Sequence, residues 1–285
     1  MRLTIFQLEN WREIGATLAR NKTRTFLTAF GIFWGTAMLA MLLGGAEGFK
    51  GIMSRNFAGL ATNMGGMGSN PRSISYMGFN KGSYWTLTTE DVDDIRRIAP
   101  AIEYSSAING RSVTGVYSVR SKAAQAMGIE PEYGKIMLPV IYEGRFINAR
   151  DYSETRKVVV LGRNIASELF GNESPIGKRL SLNGVYFTCI GVAGQVGEAS
   201  IMGRIDDNYI IPGSTLRQAF NQGNSVGFFI YTAPAGHKPD ENEAAIRRFL
   251  PGRHAIHPAD SQAFWFMDLS EMFDQINSIF MGIAI

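Results

Sequence analysis

Residues 158–193 read VVVLGRNIASELFGNESPIGKRLSLNGVYFTCIGVA, and this stretch decides the fold. The run 158–161 is apolar and β-branched, as in a strand buried on both faces. Residues 163–170 predict a short helix, which Gly171 ends because glycine takes the terminal backbone turn without steric cost. Leu180 and Leu182 alternate in a second strand. Asn183-Gly184 is the strongest short hairpin signal and leads into a third strand at 185–192. A strand, a helix and a hairpin in so short a span mark a mixed α+β domain.

Downstream, Gly194, Gly197 and Gly203 predict a loop before the strand Tyr209-Ile210-Ile211-Pro212. A helix at 214–220, a strand at 226–232 and an amphipathic helix at 239–250 follow. Ile246, Phe249 and Leu250 share one face of that last helix. A final helix begins at Asp268 and is uncharged from 276 to 285.

Upstream, Asn109-Gly110 predicts a turn between strands at 103–108 and 111–119. Leu87-Thr88-Thr89-Glu90-Asp91-Val92 is a helix start, with Thr88 as N-cap, Asp91 as its reciprocal acceptor, and Leu87 and Val92 as a hydrophobic staple. Val92, Ile95 and Ile98 mark the buried face, and Pro100 closes the helix. Residues 72–77 read as a short strand. The Gly-, Asn- and Met-rich stretch 47–70 reads as a helical extension ending in a flexible linker at Gly65-Gly66-Met67-Gly68.

The N-terminus differs from all this. Residues 25–46 carry no charge, and as a helix they would measure ~33 Å against a hydrocarbon core of ~30 Å. The run starts too far from the N-terminus and is too long for a cleaved signal peptide, so it is an uncleaved anchor. Arg20, Lys22 and Arg24 precede it, which places the N-terminus in the cytoplasm and the chain beyond about residue 47 outside. Residues 4–20 predict an amphipathic interfacial helix, with Leu8, Trp11, Ile14 and Leu18 on its apolar stripe and lipid as its partner.

Composition agrees. The chain has 285 residues, is 45% hydrophobic, and carries 28 basic and 25 acidic side chains. The excess lies in residues 1–24; the remainder is neutral, which excludes a nucleic-acid partner. The apolar fraction excludes intrinsic disorder, and the lone Cys189 excludes a disulfide framework or a cysteine-based zinc site.

Candidate chemistry is sparse. Gly171 and Gly177-Lys178-Arg179 imitate a phosphate loop, but the spacing is one residue too long. Arg179 stands where a hydroxyl would bind Mg²⁺. His254 and His257 lie three apart without a further ligand, and with His237 they read as surface or strand-edge histidines. Asp206-Asp207 is an acidic pair beside a strand. No G-x-S-x-G elbow is present. The expected lists of catalytic, cofactor-binding and metal-ligating residues are therefore empty, with no cofactor.

Asn10, Asn21-Lys22-x-Arg24-x-Phe26-Leu27-Thr28 and Gly31-Ile32 resemble the entry to MacB-type (MacB- and FtsX-like) ABC transporter permeases. Val160-Leu161-Gly162, Ala166, Leu169-Phe170-Gly171, Pro175-Ile176-Gly177-Lys178, Phe187 and Ile190-Gly191-Val192 resemble the hallmark of that family's periplasmic core domain. The resemblance implies a permease of the inner (cytoplasmic) membrane that is not itself an enzyme. It would couple ATP hydrolysis by a partner ABC-type ATPase to periplasmic motion and export a drug, peptide or lipoprotein. A second permease copy and a periplasmic adaptor protein are the further partners it implies.

On that pattern residues 1–24 form a cytoplasmic amphipathic helix, 25–46 the membrane helix and 47–267 the periplasmic domain. The domain would comprise a membrane-proximal subdomain at about 55–110 and 225–262 and an inserted one at about 111–224. Residues 268–285 would start a second, truncated membrane helix, so the chain alone is not expected to transport. Mechanotransmission would need 39–57 to be one stiff helix, against which Gly44, Gly45, Gly48 and Gly51 argue locally. The alternatives are a single-span, membrane-anchored periplasmic ligand-binding or sensor module, and a membrane-anchored hydrolase.

Overall fold

The uncharged run lies within one unbroken helix, α1 (Lys22–Asn56), through which the glycines at 44, 45, 48 and 51 pass without interruption. The computed structural model describes residues 21–56, 61–198, 200, 203–272, 274–275 and 278. The amphipathic helix expected at 4–20 lies outside the described residues. Lys22–Phe49 is long and apolar enough to cross a bilayer, and its apolar window is not buried by protein. Phe26, Phe30 and Trp34 stack at helical spacing, with centroids 5.9 and 6.0 Å apart. The Thr28 and Thr36 hydroxyls donate to the Arg24 and Ile32 carbonyls at 2.9 Å. Hydrocarbon offers polar groups no other partner.

Ser54–Ser278 forms a second unit. Its first elements are β1 (Met64–Ser69), β2 (Leu87–Thr88), α2 (Thr89–Ile98), β3 (Tyr104–Tyr117) and β4 (Arg120–Ile129). Next come α3 (Tyr133–Met137), β5 (Val140–Gly144), α4 (Ala149–Ser153), β6 (Val158–Gly162) and α5 (Arg163–Phe170). β7 (Arg179–Leu182), β8 (Val185–Gly194), β9 (Asn208–Pro212) and α6 (Gly213–Ala219) follow. The last are β10 (Ser225–Val226), β11 (Phe228–Thr232), α7 (Asp240–Arg253) and β12 (Phe264–Asp268).

Ten strands form one sheet in the order β12-β1-β11-β3-β4-β9-β6-β8-β5, with β7 paired to both β3 and β8. That double pairing closes β3, β4, β9, β6, β8 and β7 into a ring. Val113, Leu161, Leu180, Leu182, Phe187 and Tyr209 form its buried cluster, joined by Ile165, Leu169 and Phe170 of α5. Gly115 is required there, because a Cβ would lie 2.2 Å from the Tyr209 hydroxyl, which donates to the Lys122 carbonyl at 2.8 Å. Beyond the ring, α2 and α7 join β1 and β11 in a second cluster containing Met67, Leu87, Val92, Ile95, Phe229, Tyr231, Ile246 and Leu250. A third joins Met64, Ile108, Met127, Ile136, Val160 and Ile230.

The 158–193 reading holds element by element. Gly171 follows α5 at φ 65°, and Asn183-Gly184 turns at φ 46° and 86°. The capping box at Thr88 and Asp91 is present, although Ile98 of the expected buried face is 39% exposed.

Three expectations are corrected. Gly65-Gly66-Met67-Gly68 is no flexible linker; it is the buried strand β1, paired with β11 and β12. Glycine serves here because a Cβ on Gly65 would lie 2.7 Å from Pro239 and 2.8 Å from the Tyr231 ring. Asn109-Gly110 makes no hairpin. β3 runs straight through it, held by β11 up to Ile108 and by β4 from Asn109 onward, while the Asn109 amide donates to Gln222 at 3.1 Å and to the Ser225 carbonyl at 2.8 Å. The turn falls after Tyr117, with Ser118 at φ 53°. Residues 72–77 are not a strand; only Tyr76 and Phe79 bridge, since the Asp260 carboxylate takes the Ser73 and Ile74 amides at 2.8 and 3.0 Å. β12 was not foreseen: its FWFMD run lies between the expected helices at 239–250 and from Asp268, where no strand was predicted.

Candidate functional site

The residues weighed for chemistry fall in separate places. Around Gly177-Lys178 the backbone amides are already spent, Gly177 on the Cys189 carbonyl at 2.8 Å and Lys178 on the Pro175 carbonyl at 3.0 Å. The Lys178 ammonium pairs with Glu173. Such a turn has no free N–H groups to cradle a phosphate. Cys189 is buried, and burial pushes its thiol up to about 12. Asp206 is buried beside Arg204 at 3.3 Å, and Asp207 accepts from Asn164 at 2.7 Å. His237 pairs with Glu241 at 2.7 Å, and His257 meets the Tyr76 ring edge-on at 5.2 Å. Among the described residues, no three His, Cys, Asp or Glu side chains gather as a metal would require.

His254 is a correction. It is neither a surface nor a strand-edge residue, but sits at the C-terminal end of α7 with its side chain 16% exposed. Its Nε2 lies 2.7 Å from Asp91 Oδ2, and Arg253 Nε lies 2.9 Å from Oδ1. The Thr88 amide and hydroxyl donate to the same carboxylate at 2.9 and 2.7 Å. Burial pushes the Asp91 carboxyl up, but the bonds from His254 and Thr88 outweigh it and hold it below its ordinary value. The cluster locks α2 to α7.

A second polar group forms where β4 ends, at Glu130, whose side chain is 12% exposed. Its carboxylate pairs with Arg96 of α2 and accepts from the Ala107 amide of β3 at 3.1 Å. It also accepts from the Tyr152 hydroxyl of α4 at 3.3 Å, which in turn accepts from Arg217 of α6 at 3.0 Å. Arg96 further donates to Ser105 at 2.9 Å and Asp93 at 3.1 Å. Burial, followed by the Glu130 charge, raises the Tyr152 hydroxyl above its ordinary value. These groups line a cleft of about 350 Å³, with Val92 and Ala107 as its apolar part and Thr89 and Asn224 on its wall.

The part-buried charge-assisted bonds to Glu130 are worth about 1.5–3 kcal/mol each, and the exposed Arg96–Asp93 pair about 1 kcal/mol or less. Together they join α2, β3, the end of β4, α4 and α6. Nothing in the sequence pairs Arg96 with Glu130, 34 positions away. The arrangement ties these elements together as a clamp.

Residues 25–249 match the family model of the MacB-like periplasmic core domain. The chain is 25% identical over 278 residues to the macrolide export ATP-binding/permease protein MacB of Chlorobium phaeobacteroides, covering 97% of this chain and 41% of that protein. It is 26% identical over 236 residues to the pyoverdine export ATP-binding/permease protein PvdT of Pseudomonas aeruginosa, covering 82% of this chain and 34% of that one. The fold is similar to the periplasmic region of MacB from Actinobacillus actinomycetemcomitans, with TM-score 0.62 at 20% identity over 78% of this chain and 96% of that one. The chain therefore spans less than half the length of these curated relatives.

Proposed function

The chain belongs to the family of MacB-like periplasmic core domains, and on that premise we propose that it supplies the first membrane span and extracytoplasmic domain of an ABC-type export permease. ATP is hydrolysed by a partner ATPase, and the motion passes through α1 into the domain. A second permease copy and a periplasmic adaptor complete the assembly, and a drug, peptide or lipoprotein is the cargo. The N-terminus lies in the cytoplasm and the membrane is the inner one. Residues 268–285 open a second span; helix begins at Leu269, with the Asp268 carboxylate taking the Ser270 and Glu271 amides at 2.8 and 3.1 Å.

The observation that carries this reading is the pairing of β1 with β12, Gly65 opposite Asp268. The strand that follows α1 in the chain and the strand before the final helix are neighbours in one ladder. A force on either segment enters the sheet at adjacent positions, which transmission requires. Within the domain, residues about 55–110 and 225–262 form the membrane-proximal subdomain and about 111–224 the inserted one. β3 crosses between them, β4 pairs with its Asn109 and Gly110, and the Gln222–Asn109 bond adds a further tie.

The test is direct. A membrane-impermeant thiol reagent should label Val119→Cys in intact spheroplasts and leave Asn21→Cys unlabelled until lysis; the reverse would overturn the orientation. Spin labels at Val119 in the full-length assembly should then change their mutual distance on trapping with ATP and vanadate. An unchanged distance would overturn the transmission.

A further inference from the structure

We propose that the cleft between α2 and α6 binds a small organic monocarboxylate, whose head group takes the guanidinium of Arg217. This inference stands on the geometry of the cleft and is independent of the permease reading. The two arginines that line the cleft are unequally employed. Every guanidinium nitrogen of Arg96 already has a partner, Ser105 on Nε and Asp93 and Glu130 on the two Nη atoms. Among the described residues, the Arg217 guanidinium has one hydrogen-bond partner, the Tyr152 hydroxyl at 3.0 Å, lies 6.0 Å from the centre of that ring, and forms no ion pair with a carboxylate.

A guanidinium offers five N–H donors in a planar fork. The donors that Tyr152 leaves free can take both oxygens of one carboxylate, the geometry for which arginine is best suited.

The rest of the cleft selects the body and the charge. Val92 and Ala107, almost fully buried, close the floor of the cleft, and about 350 Å³ admits a compact aromatic or branched aliphatic group. Asp93 and Glu130 face the same space. Their charges balance those of Arg96 and Arg217, so a single negative charge is tolerated beside Arg217, and a dianion such as phosphate would meet repulsion. The bound molecule would touch α2 on one side and α6 on the other.

Benzoate is a suitable probe, with benzamide as its uncharged isostere and inorganic phosphate as the competing anion. Radiolabelled benzoate would be dialysed to equilibrium against the whole chain in nanodiscs, with empty nanodiscs as blank. Saturable binding is expected, weakened at least about tenfold by Arg217→Gln. Benzamide and phosphate should not displace it. On the unaltered chain, benzoate should also slow amide exchange at residues 89–96 and 213–224, a readout that does not depend on a variant folding. Binding no greater than to empty nanodiscs, equal binding by Arg217→Gln, equal displacement by phosphate, or unchanged exchange in those segments would each overturn the proposal.

Discussion

Asp91 is fully buried yet carries a charge, and it is kept so by groups from two helices: Thr88 at the start of α2, and Arg253 and His254 at the end of α7. Asp91→Asn leaves the Arg253 guanidinium and the His254 ring facing a neutral amide and should cost about 3 kcal/mol, the scale for removing one partner of a buried pair. Urea titration followed by the fluorescence of Trp85, whose ring lies 4.8 Å from His254, would measure it. The pH dependence has a definite sign. The folded carboxyl lies below its ordinary value of 3.8, so its contribution is complete at neutral pH and fades as pH falls below that value. The gap between wild type and Asp91→Asn should therefore narrow in acid, and a constant gap would refute the assignment. Half of this cluster was legible in the sequence. Thr88 and Asp91 are three residues apart, and a capping box is a local pattern. His254 was not legible, because its partner is 163 positions away and only the packing of α7 against α2 brings them together.

β1 is the element whose composition misleads. Glycine-rich segments are usually loops because glycine loses the most freedom on ordering, yet here the strand must pass beneath Pro239, Tyr231 and Phe228. Gly65→Ala should lower stability by about 2 kcal/mol through overpacking. Gly252→Ala, in α7 with open space around its Cα, should raise it by about half a kcal/mol by the ordinary helix preference. Opposite signs for the same chemical change, read from two urea midpoints, would separate packing from propensity; two gains would show that the space around β1 is not filled. Asn109-Gly110 misleads for the complementary reason. A turn signal expresses local preference only, and the ladders on both sides of β3 outweigh it. By contrast, 158–193 was readable because α5, β7 and β8 are set by local breaks at Gly171 and Asn183-Gly184.

At the scale of the molecule, the helix of membrane-span length could be read from its lack of charge and its length alone, whereas the ring could not, since β7 must find both β3 and β8. The same non-local pairing predicts where the domain can be cut. Among the described residues, its three buried clusters draw on Met64 to Leu269 and on none in α1, so residues 57–272 should fold alone. At ~200 residues, such a domain buries roughly 70% of its unfolded surface. Size-exclusion chromatography should show a soluble species and urea a cooperative transition. A shorter fragment, 57–263, should fail. It removes β12, which uncovers one side of β1 and takes Phe264 from the cluster around Met67, leaving a flat glycine-rich edge open to other chains. Aggregation of 57–263 alongside a well-behaved 57–272 is the expected result. If both fragments fold equally well, β12 does not clamp β1, and the route by which the chain would carry force into the sheet is lost with it.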